Sequence, residues 1–282
     1  MAADIREMSP IVKVRGLVRR FTLKGVLNGV DLDIRKGEFV ALLGRSGSGK
    51  STLLRALADL DREAVGSGEI VVPERLSVVF QDARLLPWKR VLDNVKLGLT
   101  GPDADVRARC ALEDVELGGR EASWPSELSG GEQQRVALAR SLVREPEFLL
   151  ADEPFGALDA LTRIRMHELV RRLAARRRPA VLLVTHDVDE AIALADRAIV
   201  LDDGRVRADI PIAPLPLEPS LRETRRAALR STLLELLGVG QDGGPLEPPA
   251  EPVDGAALRV LASSRPSPIV QLRLGTGEEV FG

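Results

Sequence analysis

The sequence is poor in cysteine and has no long apolar run. It contains one cysteine, Cys110, and no tyrosine among 282 residues. A single cysteine excludes an internal disulfide framework and a metal site made of several cysteines. No run of about 18 apolar residues occurs, and the first residues lack the apolar segment of a secretion signal. We therefore expect a cytosolic protein that acts at a membrane only through a partner.

An excess of charge of either sign is also missing. Lys and Arg number 40, Asp and Glu number 42, and the formal net charge is -2. Without a basic excess there is no general field to hold a nucleic-acid backbone, so we expect no nucleic-acid partner. Hydrophobic residues make up 44% of the chain, which is enough to bury the core of one large domain or two ordinary ones.

The hydrophobic residues form a regular pattern. Short apolar runs alternate with amphipathic helical segments over residues 11–239, which predicts an α/β domain with a largely parallel sheet. A polar, helix-prone insertion covers about 82–144, and a last helix is predicted to stop at Gly238. The predicted buried strands are 38–43, 76–80, 147–152, 180–185 and 197–202.

The composition changes after residue 239. Residues 240–256 are rich in proline, glycine and acidic residues, which indicates a linker. Two short apolar runs within 257–282 would suit the strands of a hairpin, and a disordered tail is an equal alternative.

A glycine-rich loop follows the first of the predicted strands. "GRSGSGKS", from Gly44 to Ser51, fits the pattern G-x-x-x-x-G-K-[ST] between a strand and a helix. In such a loop the backbone N–H groups and the helix start cradle a polyphosphate, Lys50 reaches the β- and γ-phosphates, and Ser51 binds Mg²⁺. The alternative is a turn that only starts a helix. The predicted nucleotide-binding residues are Gly44, Arg45, Ser46, Gly47, Ser48, Gly49, Lys50, Ser51 and Thr52.

Two acidic residues end the strand predicted at 147–152. Asp152 is placed to hold Mg²⁺ directly or through water, and Glu153 to act as general base on the attacking water. On its own, such a pair would be read as a solvated acidic turn. The glycine-rich loop upstream makes the catalytic interpretation the preferred one.

A second helix start also has the properties of an anion site. Ser129 and Glu132 form the pattern of a capping box, and Gly130 and Gly131 leave room for an anion beside the first helical turn. The alternative is that Ser129 and Glu132 only cap the helix. A second phosphate platform is useful if it closes on the nucleotide of another copy. The motif comprises Leu128, Ser129, Gly130, Gly131, Glu132 and Gln133.

The three motifs "GRSGSGKS", "LSGGEQQ" and "LLADEP", in this order, resemble those of the ATP-binding subunits of ABC transporters over residues 11–239. The resemblance implies a P-loop NTPase fold: a RecA-like core, an antiparallel β subdomain and an inserted α-helical subdomain at about 82–144. It also implies a head-to-tail homodimer that holds two ATP molecules between residues 44–52 of one chain and 129–133 of the other.

Further residues are assigned by the same resemblance. Gln81 corresponds to the glutamine that touches Mg²⁺ and water, Asp159 to the D-loop aspartate at the dimer seam, and His186 to the histidine that contacts the γ-phosphate. Phe21 takes the place of the usual adenine-stacking tyrosine. Alternatively, Gln81 and His186 are ordinary strand-end residues and Asp159 is a helix cap. His167, with charged neighbours on a predicted helix, is expected to be solvated.

"FQDARLLPWKRVLDNVKLGL" and the stretches around the later motifs resemble the nitrate, sulfonate and taurine importers, and most of all the aliphatic sulfonate importers. This implies two transmembrane permease subunits, a solute-binding protein and a peripheral location on the cytoplasmic face of the bacterial inner membrane. Taurine, nitrate or another small solute is the alternative cargo. Core packing is the alternative for Trp88. The predicted permease contacts are Leu85, Leu86, Pro87 and Trp88.

A soluble ABC ATPase that remodels ribosomes or DNA is the rival interpretation. Such proteins usually carry two ATPase units or a long coiled-coil insertion. This sequence has one unit and no sustained heptads. The transporter interpretation is therefore preferred.

Overall fold

The computed structural model describes residues 9–21 and 24–239. A short 3₁₀ helix, Pro125–Glu127, precedes the longest helix of the insertion. The other elements, in chain order, are β1 (Val12–Phe21), β2 (Lys24–Ile34), β3 (Phe39–Leu43), α1 (Lys50–Leu57), β4 (Val65–Val71), β5 (Leu76–Val79), α2 (Val91–Val95), α3 (Ala104–Asp114), α4 (Gly130–Leu142), β6 (Phe148–Asp152), α5 (Ala160–Arg177), β7 (Ala180–Val184), α6 (Val188–Leu194), β8 (Arg197–Asp202), β9 (Arg205–Pro211) and α7 (Pro219–Leu236).

The larger sheet has six strands in the order β5-β6-β7-β3-β8-β9. The first five of these strands run parallel, and β9 pairs antiparallel with β8. The five parallel strands match the five predicted ones within one residue at each end. The prediction of an α/β domain with a largely parallel sheet is confirmed.

The parallel strands are apolar at successive positions because both faces of the sheet are covered. Along β3, Val40 and Leu42 pack with the smaller sheet and α1. Phe39, Ala41 and Leu43 point to the other face and join the core formed with the remaining helices. The carboxyl ends of β3, β6 and β7 therefore meet at one edge of a rigid layer.

The smaller sheet is antiparallel and has the strand order β2-β1-β4. Its inward residues, such as Val14, Leu17 and Leu27, pack with Leu53 and Leu54 of α1 on one face of the larger sheet. This is the antiparallel β layer that the family resemblance implied.

The segment between β5 and β6 is helical and contains α2, α3 and α4. Buried residues of these helices, including Val95, Leu112 and Val136, belong to the same core as the helix-covered face of the larger sheet. The exact limits of the inserted subdomain, and of the whole 11–239 domain, stay predictions.

The last helix of the described region ends as the sequence predicts. Gly238 follows α7 with φ 70, in the left-handed region that favours glycine at a helix end. The predictions for residues 240–256 and 257–282 lie outside the described residues. Within the described part of the chain, no helix combines the length and apolar character needed to cross a membrane.

Candidate functional site

The glycine-rich loop connects β3 to α1 and has an unusual backbone. Gly47 has φ 81 and Gly49 has φ 105, conformations that side-chain-bearing residues rarely adopt. A Cβ atom at Gly49 would lie 2.9 Å from both Leu27 Cδ2 and Val26 O. Glycine at this position therefore lets the loop turn tightly against β2.

Lys50 is the first residue of α1, and its ammonium group points back into the loop. It is only 7% exposed and donates to Gly44 O at 2.7 Å and to Arg45 O at 3.0 Å. Burial lowers the pKa of Lys50, while the nearby carboxylates of Glu153 and Asp152 act in the opposite direction. The loop thus encloses a positive charge that faces two acidic residues.

The start of α1 has the properties of an anion site. Gly49 is the N-cap residue and offers no side-chain acceptor, and the first turn contains no acidic residue. The Ser48 hydroxyl is buried without a hydrogen-bond partner among the residues that the structure describes. Free N–H groups, an orphaned hydroxyl and a buried lysine fit a polyphosphate.

The acidic pair lies at the end of β6, next to the loop. Asp152 pairs with Val184 in the sheet, and Glu153 donates its backbone N–H to Val184 O at 2.9 Å. Glu153 has φ 44, which turns the chain sharply away from the strand. Burial, followed by the charge of Glu153, raises the pKa of Asp152. A cation placed between the two carboxylates would stabilise the charged form of Asp152, and so offset both its burial and the repulsion from Glu153.

The structure brings most of the predicted catalytic residues together. His186 follows β7, and its Nδ1 atom lies 3.2 Å from Glu153 Oε2. A Cβ atom at Gly156 would lie 3.5 Å from Gln81 Nε2 and 4.0 Å from Glu153 Oε2, so the glutamine flanks the same turn. One cleft of about 380 Å³ is lined by Val26, Ser46, Gly47, Gly49, Lys50, Ser51, Thr52, Glu153 and His186.

The motif "LSGGEQ", Leu128–Gln133, whose members we call the signature residues, lies away from this cleft. Ser129 is the N-cap of α4: its Oγ accepts from Glu132 N at 3.3 Å, and its own N–H donates to Glu132 Oε2 at 2.9 Å. The Gln133 amide donates to Pro125 O and Leu128 O. The capping function is thus real. Ser129, Gly131 and Glu132 line a separate pocket, not the cleft at the glycine-rich loop.

Two other predicted residues stand apart from the cleft. Asp159 caps α5, accepting from Leu161 N at 3.1 Å and Thr162 N at 3.0 Å, so the capping alternative holds in the isolated chain. Phe21 ends β1, is partly buried, and is not among the residues that line the cleft. An adenine-stacking role for Phe21 is still a prediction.

Within the predicted permease-contact patch, Leu85–Trp88, Pro87 and Trp88 are exposed, while Leu85 and Leu86 are partly buried and Leu85 packs against the core. Trp88 is 70% exposed, so the alternative of core packing is wrong. Sequence reasoning missed the residue that supports this patch, the fully buried Asn94. Its Oδ1 accepts from Leu86 N at 2.7 Å, and its amide donates to Leu86 O, Lys89 O and Arg90 O. The stretch "VLDNV" holds two polar residues, Asp93 and Asn94, and nothing local marks which of them is buried.

The expectation of a solvated His167 is wrong. Its side chain is 15% exposed and packs edge-on against Phe155, with ring centroids 4.8 Å apart. The buried carboxylate of Glu190, another residue that sequence reasoning missed, lies 3.6 Å from His167 Nε2. A single-helix view counts only the charged neighbours on α5 and cannot include these partners from other segments.

The sequence and fold were compared with those of known proteins. Residues 27–156 match the family model described as ABC transporter. Curated proteins named aliphatic sulfonates import ATP-binding protein match over most of their length. The Mesorhizobium japonicum protein is 67% identical over 82% of this chain and 93% of its own. The Nocardia farcinica protein is 67% identical over 81% of this chain and 95% of its own. The Pseudomonas fluorescens protein is 55% identical over 88% of this chain and 95% of its own.

Solved structures agree with the sequence relatives. A dimeric ATP-binding cassette in a post-hydrolysis state, bound to ADP and Pi, has a TM-score of 0.63 and 32% identity, covering 72% of this chain and 100% of its own. A second dimeric structure of the same protein, described as a bacterial ABC transporter cassette, has a TM-score of 0.62 and the same identity and coverage. The glycine-rich loop, the acidic strand end and the capped signature helix therefore sit in an ABC cassette fold. The chain belongs to the family of ABC transporter ATP-binding proteins, and it is an ATPase.

Proposed function

We propose that the chain is the ATP-hydrolysing subunit of an importer of aliphatic sulfonates, working with a separate permease. The observation that carries this proposal is its 67% identity to a Mesorhizobium japonicum protein named for aliphatic sulfonate import, across 93% of that protein. The Nocardia farcinica and Pseudomonas fluorescens relatives carry the same name. Taurine, nitrate and other small solutes are the cargoes against which the proposal is tested.

In the proposed site, residues 44–52 hold the phosphates of ATP. Lys50 neutralises the β- and γ-phosphates, and the first N–H groups of α1 bind their oxygens. Ser51, Asp152 and Gln81 would hold Mg²⁺, and their hydroxyl, carboxylate and amide oxygens are donors that this ion prefers. When bound, the ion supplies neutralisation of charge on the phosphate oxygens. Phe21 stacks on the adenine.

Hydrolysis is assigned to the pair formed by Glu153 and His186. The Glu153 carboxylate accepts a proton from the attacking water, whose oxygen bonds to the γ-phosphorus as the bond to the β,γ-bridging oxygen breaks. His186 contacts the γ-phosphate and, at 3.2 Å from Glu153 Oε2, limits where that carboxylate can lie. Gln81 orients the water beside the same turn.

A homodimer completes the site. In one chain the signature residues Ser129, Gly131 and Glu132 line a different pocket from the cleft at the glycine-rich loop, so we assign the signature residues that face a bound nucleotide to a second copy. In a head-to-tail dimer, residues 129–133 of the second copy close on that nucleotide, with Asp159 at the seam. Both solved structures of the similar cassette are dimeric, which supports this arrangement.

Coupling to transport is assigned to Leu85–Trp88. We place the chain on the cytoplasmic face of the bacterial inner membrane as a peripheral subunit, bound to two transmembrane permease subunits and served by a solute-binding protein. The exposed Trp88 and Pro87 form an apolar contact for the permease, and the buried Asn94 keeps their loop in shape. ATP-driven closure of the dimer then moves the permease through this contact.

The test is uptake of labelled ethanesulfonate, taurine and nitrate, each offered separately to a strain that lacks the gene. We expect selective loss of ethanesulfonate uptake, restored by the wild-type gene and not by a Glu153→Gln copy. Unchanged ethanesulfonate uptake in the deletion strain would contradict the proposed cargo. Rescue by the Glu153→Gln copy would contradict the hydrolytic role.

A further inference from the structure

A buried polar cluster lies directly behind the proposed catalytic pair. It consists of Thr185, which is 1% exposed, Glu190, which is 5% exposed, and the partly buried His167. Burying a carboxylate costs free energy unless the group is hydrogen-bonded, so the buried carboxylate of Glu190 points to a specific role. None of the three residues lines the cleft at the glycine-rich loop.

One arm of the cluster reaches His186. The Thr185 hydroxyl donates to Glu190 Oε2 at 2.6 Å and accepts from the backbone N–H of Asp187 at 3.0 Å. His186 stands between Thr185 and Asp187 in the chain, and its own side chain is 67% exposed. Because an exposed imidazole has little packing to fix it, its position depends on the backbone on either side. Thr185 and Glu190 hold that backbone.

A second arm reaches the segment of Glu153. His167 Nε2 lies 3.6 Å from Glu190 Oε1, and the His167 ring packs at 74° against Phe155, which follows Glu153 by two residues. The two oxygens of one buried carboxylate thus face two arms. One arm leads to His186, and the other to the turn that carries Glu153.

The second arm is not fully closed. His167 Nε2 and Arg163 Nε are buried without a hydrogen-bond partner in the described part of the chain, and they lie 3.6 Å and 3.9 Å from Glu190 Oε1. A shift of about 1 Å or less would bring either nitrogen within hydrogen-bond range of the carboxylate. The second arm is therefore the looser of the two, because its contacts with Glu190 are longer than the hydrogen bond from Thr185.

On the basis of the roles proposed above for Glu153 and His186, we propose that Glu190, Thr185 and His167 are positioning residues for that pair. They set the relative placement of the two segments that act on the γ-phosphate and the water. They touch neither, so they affect turnover and leave ATP binding at the glycine-rich loop intact. A misplacement of about 1 Å at a reacting pair is enough to slow catalysis strongly.

The test compares the full chain with Glu190→Gln, which removes the charge at constant shape, and Thr185→Val, which removes the hydroxyl. We expect each to lower kcat about tenfold while KM and the Kd for ATP stay within about twofold. Thr185→Ser, which restores the hydroxyl, should recover most of the activity. The matched control is Glu168→Gln, since Glu168 is an exposed neighbour of His167 on α5.

The double variant Thr185→Val/Glu190→Gln tests whether the two residues act as one unit. We expect it to be no slower than the slower single variant, because both changes break the same arm. Losses of kcat that multiply, or a Thr185→Ser variant as slow as Thr185→Val, would overturn the inference. So would a normal kcat in Thr185→Val with an unchanged melting temperature.

A second readout does not depend on turnover. The chain has two histidines, so the ring-proton NMR signals of His167 and His186 can be assigned from one variant of each. In the nucleotide-free protein, Thr185→Val should shift the His186 signal and Glu168→Gln should not. An unshifted His186 signal would overturn the inference even if a Glu190 variant fails to fold.

These measurements separate this inference from the proposed function. If His186→Ala turns over normally, the role proposed for His186 is wrong, whatever the cluster does. If His186→Ala loses turnover while Thr185→Val and Glu190→Gln keep it, only the positioning role is wrong.

Discussion

His186 Nδ1 lies 3.2 Å from Glu153 Oε2, so a residue that follows β7 and one that follows β6 meet directly at the edge of the sheet. The contact depends on the parallel pairing of these neighbouring strands, in which Asp152 lies opposite Val184. The motifs that contain Glu153 and His186, which are separate in the sequence, thereby form one candidate catalytic site.

Replacement of Glu153 by glutamine should separate ATP binding from hydrolysis. The amide keeps the shape of the side chain and cannot accept the proton from water, so we expect phosphate release to fall by about 100-fold or more. ATP should still bind, and size-exclusion chromatography with ATP should show an accumulated dimer. Turnover at the wild-type rate would show that another residue is the base.

Replacement of Lys50 by alanine should instead remove nucleotide binding. Its ammonium is the buried positive charge of the loop. Loss of the hydrogen bonds from this charged donor should weaken the binding free energy for ATP by about 1.5–3 kcal/mol, which raises the Kd at least about tenfold. Binding can be measured by titration calorimetry. Lys36→Ala, at an exposed lysine outside the cleft, is the control and should bind normally.

The pH dependence of stability should reveal the capping box at Ser129. The hydrogen bond from Ser129 N–H, the largest influence, holds the pKa of Glu132 below its usual value. The folded state then binds fewer protons than the unfolded state in acid. The contribution of Glu132 to the free energy of unfolding is therefore present above about pH 4.3, the pKa of an unfolded glutamate, and is lost as pH falls through the lowered pKa of the folded state.

Glu132→Gln should therefore reduce the free energy of unfolding at pH 7 by about 0.5–1 kcal/mol. The difference from wild type should shrink in acid, as followed by urea unfolding at a series of pH values. A difference that grew on acidification would contradict the assigned sign.

Replacement of Trp88 by alanine should leave the chain folded and uncouple it from transport. Because the indole is 70% exposed, the free energy of unfolding should change by less than about 0.5 kcal/mol. Substrate uptake should be lost while ATP binding is retained. Val106→Ala, at an exposed apolar residue of α3, is the control. Normal uptake by the Trp88 variant would move the permease contact elsewhere.

Local patterns were enough to predict the five parallel strands and two helix ends, while β1, β2, β4 and β9 were not predicted individually. Continuous apolar runs marked the parallel strands, and the Ser129–Glu132 spacing and Gly238 marked helix ends, because each depends on a few neighbouring residues. The buried partners Asn94 and Glu190 were missed. Their hydrogen bonds and contacts join separate segments, and a single sequence carries no periodicity that reports them.

The separation of the signature pocket from the glycine-rich cleft has a kinetic consequence. In the proposed head-to-tail dimer each chain holds half of each of two sites, so the activity per molecule should rise with the protein's own concentration until all chains are paired. Two defective chains should also complement one another. A chain damaged at the loop and a chain damaged at the signature, mixed together, should form pairs in which one of the two composite sites is intact.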